Sequence, residues 1–282
     1  ILTLFFKPVK KKKAVKIGLG MRRSTLEGLH SELVLDAGDV LSPEEVELFN
    51  TLDGDEDHIN DESQTIHDMH IAISVRDRAI ADMRAKGVTV RQNELREAEV
   101  VLYKVAGLAK RVNDSGRLKS RFESLVDAAA KDPNSPITGE KHTLDRRVST
   151  RWNSDLACLD AYFLLYPIVE QLTAVQEFKL QNFVLSDTQL HLAKELCDIL
   201  LIVEGPTRLF SQANVPLIAN IIPMLLVIQQ ALTRASEDTS QPSVLRIAAY
   251  AGTLVCKKYY ALADECEIYY IAIVMSPDKK LD

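Results

Sequence analysis

Apolar residues recur every three or four positions along most of the chain beyond residue 93. One stripe runs Leu95, Ala98, Leu102, Val105, Ala109, Val112, and the next Leu118, Phe122, Leu125, Ala129. Later stripes are Leu156, Leu159, Phe163, Tyr166, then Leu190, Ala193, Leu196, Leu200, Val203, then Leu245, Ala248, Gly252, Val255, Tyr259. That spacing puts each set on one helical face, so the chain is predicted to be mainly α. Asn93 and Ser115 are the expected starts of the first two helices, and the run Asp132-Pro133-Asn134-Ser135-Pro136 ends the second. Ser186 and Gln189 have capping-box spacing, Gly205-Pro206 is expected to stop that helix, and Pro242-Ser243 opens the last long one. Pro167 is read as a kink or a restart. A shorter helix is expected over 74–86, ended by Gly87, and a buried one over 216–234.

Three places read differently. Val88-Thr89-Val90 favours extended backbone, and residues 143–150 read as a strand leading to a helix that starts at about Ser154. The sole tryptophan, Trp152, therefore falls at a strand-to-helix junction. For residues 268–274, periodicity leaves helix and short strand both open.

Composition changes this picture little: 46% hydrophobic, 26% charged, 6% aromatic, net charge −6, ordinary for a globular protein with a sizeable core. Leu217–Leu232 is apolar but short of the roughly 20 residues a membrane span needs, and Asn220, Pro223, Gln229 and Gln230 interrupt it. No membrane association and no small-molecule substrate are expected. The start, Ile1 to Phe6, lacks a charged leader segment and reads as cut from something longer.

Charge distribution matters more than the net value. Lys7, Lys10, Lys11, Lys12, Lys13, Lys16, Arg22 and Arg23 precede the first acid, Glu27. From Glu27 to Glu62 the charged residues are all acidic, with no Lys or Arg before Arg76. Such opposed blocks are expected to be flexible, and the basic one suits phosphate binding or nuclear import. Ser42-Pro43-Glu44-Glu45 is the one helix-start signal inside them.

Most candidate chemistry falls away on spacing. Asp53-Gly54-Asp55-Glu56-Asp57 resembles a calcium loop, but His58 stands where the loop needs Gly and Gln64 where it needs Glu. His67 and His70 have no third metal ligand at a recognisable spacing, and Cys158, Cys197, Cys256 and Cys266 form no C-x-x-C pair. Buried, reduced thiols are the expectation. Gly18-Leu19-Gly20 lacks the rest of a phosphate loop.

Val148-Ser149-Thr150-Arg151-Trp152-Asn153-Ser154 resembles the V-x-T-R-W-N-S-T motif of hAT-superfamily DNA transposases. Two more segments resemble that family in the same order. Lys104 to Val112, with Ser115 and Arg121-Phe122, is similar to the helical stretch before the motif. Lys257-Lys258-Tyr259-Tyr260, then Ile268 to Val274, Pro277 and Lys279-Lys280-Leu281, is similar to K-Y-Y … Y-Y-I-A-T-V-L-D-P-R-x-K-L. Asp155 departs from the motif's Thr, and Met275-Ser276-Pro277-Asp278 departs from Leu-Asp-Pro-Arg.

The resemblance implies a fragment of a ribonuclease-H-like α/β core carrying a helical insertion. On that mapping, 1–62 is a flexible basic-then-acidic segment. Residues 63–152 hold a helical region and a core strand, and 153–282 belong to the insertion. The family's Asp-Asp-Glu set, which binds Mg2+ or Mn2+, maps outside the chain, so no cofactor and no catalytic residue are expected within it. The expected function is that of a nuclear, DNA-directed transposase segment, with a homo-oligomer compatible. Arg151 and Trp152 would contact DNA, Trp152 by stacking on a flipped base, while Lys10, Lys11, Lys12, Lys13, Lys16, Arg22 and Arg23 bind phosphates. Thr150 and Asn153 would position the junction, with Asn153 or Ser154 capping the helix. The rival expectation is a transposon-derived helical scaffold that binds proteins and has no DNA role.

Overall fold

The computed structural model describes residues 2–6, 62–148, 152–212 and 217–276, with side chains of the first helix described from His70 on. Among these residues there are nine α-helices and no strand. They are α1 (Glu62–Ala85), α2 (Gln92–Asp114), α3 (Gly116–Ala130), α4 (Trp152–Leu164) and α5 (Tyr166–Thr173), then α6 (Asp187–Phe210), α7 (Ile218–Glu237), α8 (Ser243–Asp264) and α9 (Glu267–Met275). Short 3-10 turns occur at Leu2–Phe6, Gln176–Phe178 and Gln181–Phe183.

The core forms around α2. Its predicted stripe is buried at Ala98, Leu102, Val105, Ala109 and Val112, and Val101, Ala106 and Leu108 are buried beside it. It is covered by α3, α4, α6 and the Leu2–Phe6 turn. Phe5 and Phe6, both buried, fill the space between α2 and α8, and Arg76 of α1 lies over the Phe5 ring at 5.4 Å. A fully buried Phe or Leu contributes roughly 1.5–3 kcal/mol, so this five-residue turn anchors helices far apart in sequence. In α8, Gly252 permits a close approach, since a Cβ there would meet Leu232 Cδ1 at 2.9 Å and Leu2 Cδ2 at 3.1 Å.

Several start and stop signals act as the sequence predicts. Ser115 Oγ accepts from Leu118 N at the start of α3. Ser186 and Gln189 form the reciprocal capping box of α6. Gly87 takes φ +83° after α1, where its N–H bonds the Arg84 carbonyl and Val88 N–H bonds Met83. This is the left-handed helix end that glycine adopts without strain. Pro167 sits in the first turn of α5, so it restarts the chain after Leu165.

Other expectations are corrected. Residues 143–148 make no strand, because no second extended segment lies alongside them among the described residues. Their backbone groups bond side chains instead. Trp152 is the first residue of a helix, and the residues described before it, up to Val148, make no strand. Arg91, not Asn93, precedes α2, and Asn93 is exposed. The helix α1 begins twelve residues earlier than 74, at Glu62.

Gly205-Pro206 does not stop α6, which continues to Phe210. Pro206 lacks the N–H that would bond the Ile202 carbonyl, and Thr207 Oγ1 donates to the neighbouring Val203 carbonyl at 2.7 Å, so the helix continues with one ladder bond missing. Residues 268–274 are helical, in α9.

The helix over 216–234 is α7, and it is not buried. Only Ala219, Ile222, Leu232 and Ser236 are enclosed, while Ile218 and Val227 are exposed. By length and composition α7 is apolar enough to cross a membrane. Here it packs along α8, with α9 and α6 against it.

Candidate nucleic-acid interface

The segment before Trp152 is held to the helices by short polar contacts. Asn113 Nδ2, on α2, donates to the Leu144 carbonyl at 2.9 Å and to Ala109 O at 2.8 Å. Leu144 itself is buried. Arg146 pairs with Asp114 at the end of α2, and Lys141 Nζ lies 2.6 Å from Asp145 Oδ2. Cys158 Sγ donates to the Asp145 carbonyl at 2.9 Å. Burial pushes the Cys158 thiol up to about 12, and the carboxylates of Asp155 and Asp145 push in the same direction. Cys158 is therefore a neutral hydrogen-bond donor at physiological pH and not a nucleophile.

Arg147 Nε bonds Asp155 Oδ1 at 2.6 Å, with both side chains nearly enclosed. Asp155 stands in the first turn of α4, where the helix dipole also favours a negative charge. Ser154 completes the clamp. Its hydroxyl accepts from Val148 N at 2.9 Å and reaches the Val148 carbonyl at 2.8 Å. Ser154 thus tethers the Val148 backbone from within the first turn of α4, and does not cap the helix, which starts at Trp152.

Trp152 opens α4 with its side chain half-buried against the core, and Asn153 beside it is exposed. The side chain is thus partly enclosed by the protein and partly open to water. Arg151 and Thr150 lie outside the described residues, as do Lys10, Lys11, Lys12, Lys13, Lys16, Arg22 and Arg23. The same holds for the acidic block as far as residue 61, the Asp53–Asp57 run and the helix signal at Ser42. Of the expected site, the structure describes Trp152, Asn153 and Ser154 together at one helix start.

Sequence reasoning missed the Arg147–Asp155 pair. The signal was present: an acid in the first turn of a predicted helix, eight residues after an arginine. A shallow depression of about 500 Å3 lies near the end of α2, lined by Arg111, Asp114, Ser115, Arg117, Leu118, Glu177 and Phe178. Arg117 lies over the Phe178 ring at 5.5 Å and pairs with Glu177 at 2.6 Å. With Asp114 held by Arg146, its charges are largely balanced.

Cys158, Cys197 and Cys256 are buried and Cys266 is exposed, all as free thiols. Among the described residues, no three His, Cys, Asp or Glu side chains are grouped to hold a metal ion. No protein-family model, curated protein or solved structure matches the chain.

Proposed function

We propose that the chain is an internal segment of an hAT-like transposase, directed to DNA in the nucleus and lacking the family's complete Asp-Asp-Glu set. The observation that carries this reading is the Val148–Ser154 run. Its Trp152 starts a helix with the indole half out of water, and its Ser154 ties the incoming chain in place. A partly exposed indole at a helix start suits base stacking, worth roughly 1–3 kcal/mol per base. Two further resembling segments in the family's order, 104–122 and 257–281, add support.

On this reading 143–152 corresponds to an edge of a ribonuclease-H-like core, and the helices after it to the insertion. Lys10 to Lys13, Lys16, Arg22, Arg23 and Arg151 supply phosphate contacts. Mg2+ or Mn2+ would be held by acids outside these residues, and no strand-cutting step is assigned to this chain.

The test is fluorescence anisotropy of a labelled duplex with the purified chain over a salt series, alongside a nicking assay with Mg2+ or Mn2+. Expected are binding that weakens steeply with salt, a shallower slope when Lys10–Lys13 are neutralised, and intact DNA. Nicking that disappears on mutating the chain's own acids would overturn the missing catalytic set. No binding at low salt would favour the rival, a helical protein-binding scaffold. That second reading has its own support in the apolar surface that α8 and α9 expose.

A further inference from the structure

The depression at the α2–α3 corner is walled by three separate pieces of chain: the last turn of α2, the first turn of α3 and the Gln176–Phe178 turn. Its volume of about 500 Å3 falls within the roughly 300–1,000 Å3 of small-ligand clefts. Most of its charges are matched to one another, Arg117 with Glu177 and Asp114 with Arg146. Arg111 is the exception. It is exposed, and no carboxylate among the described residues pairs with it. Lys179, next along the chain from Phe178, is a second exposed cation. The hollow thus carries a positive surplus in a chain whose net charge is −6.

We propose that this depression is a phosphate subsite for a nucleic-acid strand, with Arg111 as its anion-binding residue. A planar guanidinium fork bonds two phosphate oxygens at once. Ser115 lines the same hollow, and its Oγ accepts from Leu118 N at 3.4 Å, which leaves its O–H to donate to an anion. Leu118 and Phe178 give the hollow an apolar side for a sugar or base. The subsite rests on the DNA reading and adds a contact to it. Asp114 of the wall holds Arg146, and Arg146 precedes Trp152 by six residues. Six residues span at most about 22 Å, so with an arginine side chain added the two places lie within about 30 Å. A strand covers that in about nine nucleotides at 3.4 Å each. One strand can therefore meet Trp152 and the depression together.

The test uses the 282-residue chain and a labelled oligothymidylate of about twelve nucleotides, long enough for that span. Arg111→Ala should weaken binding about tenfold, as loss of a charged hydrogen bond does. It should also lower the salt slope by roughly 0.7, the share of one phosphate on a single strand. Its circular dichroism should stay unchanged because the side chain is exposed, and quenching of Trp152 at saturation should persist. Glu177→Gln releases Arg117 from its partner and should tighten binding. Arg84→Ala, at an exposed arginine of α1, is the control and should leave affinity unchanged. Equal weakening by Arg84→Ala would reduce Arg111 to general surface charge and overturn the subsite. Calorimetry with inorganic phosphate separates the two sources of the group. Heat that Arg111→Ala abolishes, with oligonucleotide affinity indifferent to Arg111, assigns the hollow to a free phosphorylated ligand and overturns its place on a strand. Trp152 quenching with no effect of Arg111→Ala on either probe removes the subsite and leaves the DNA reading standing. No oligonucleotide binding by the unaltered chain removes both.

Discussion

Arg147 and Asp155 form an almost enclosed ion pair, Nε to Oδ1 at 2.6 Å, that joins an irregular segment to the first turn of α4. A buried pair of this kind contributes little beyond a well-packed apolar substitute, but breaking it strands a charge out of water. Asp155→Ala is therefore expected to cost roughly 3–5 kcal/mol, measured as a shift of the urea midpoint at constant slope. Arg147→Met with Asp155→Leu should recover most of that loss, because both charges leave together. If Asp155→Ala costs no more than a surface substitution, the pair is not the anchor of this junction.

The cysteines give a second expectation. Burial pushes the thiols of Cys158 and Cys197 up to about 12 and raises that of Cys256 in the same direction, whereas Cys266 is exposed. With a thiol near 12, only about one group in ten thousand is thiolate at pH 8. Dilute folded protein should thus take up one equivalent of a thiol reagent quickly, at Cys266, and the other three only on unfolding. Peptide mapping after a short reaction checks this. Rapid labelling of Cys158 in folded protein would contradict the packing of α4 against the 143–148 segment.

How far the sequence could be read depended on whether a signal was local. The capping box at Ser186, the cap at Ser115 and the glycine end at Gly87 each act within one turn of chain, and the structure uses all three. The α2 stripe was legible because its 3–4 spacing continues over five turns.

Gly205-Pro206 misled because a proline removes only one ladder bond, and the helix carries on past it for another turn. Residues 143–148 misled because a strand needs a partner, and side chains from α2 and α4 take that role. The apolar run in α7 suggested burial, yet apolar composition does not reveal which face finds a neighbour. At the site, the motif located Trp152 and Ser154, while the enclosure of Asp155 came only from helices meeting in space.

Trp152 supplies the last expectation, and it separates packing from recognition. It is the sole tryptophan, so intrinsic emission at its wavelengths reports one ring. That ring is half-buried and leans on the core, so Trp152→Phe should keep most of the contact and fold normally. If the outer flank of the indole stacks on a base, adding a single-stranded oligonucleotide should quench its emission saturably. Trp152→Ala should then weaken binding by about 1–3 kcal/mol, a loss that persists at high salt because stacking does not depend on counterion release. Neutralising Lys10–Lys13 should behave oppositely, reducing affinity mainly at low salt while leaving the quench at saturation intact. Unchanged emission at saturating oligonucleotide, with wild-type affinity in Trp152→Ala, would remove the tryptophan from any DNA contact and leave it as a packing residue of α4.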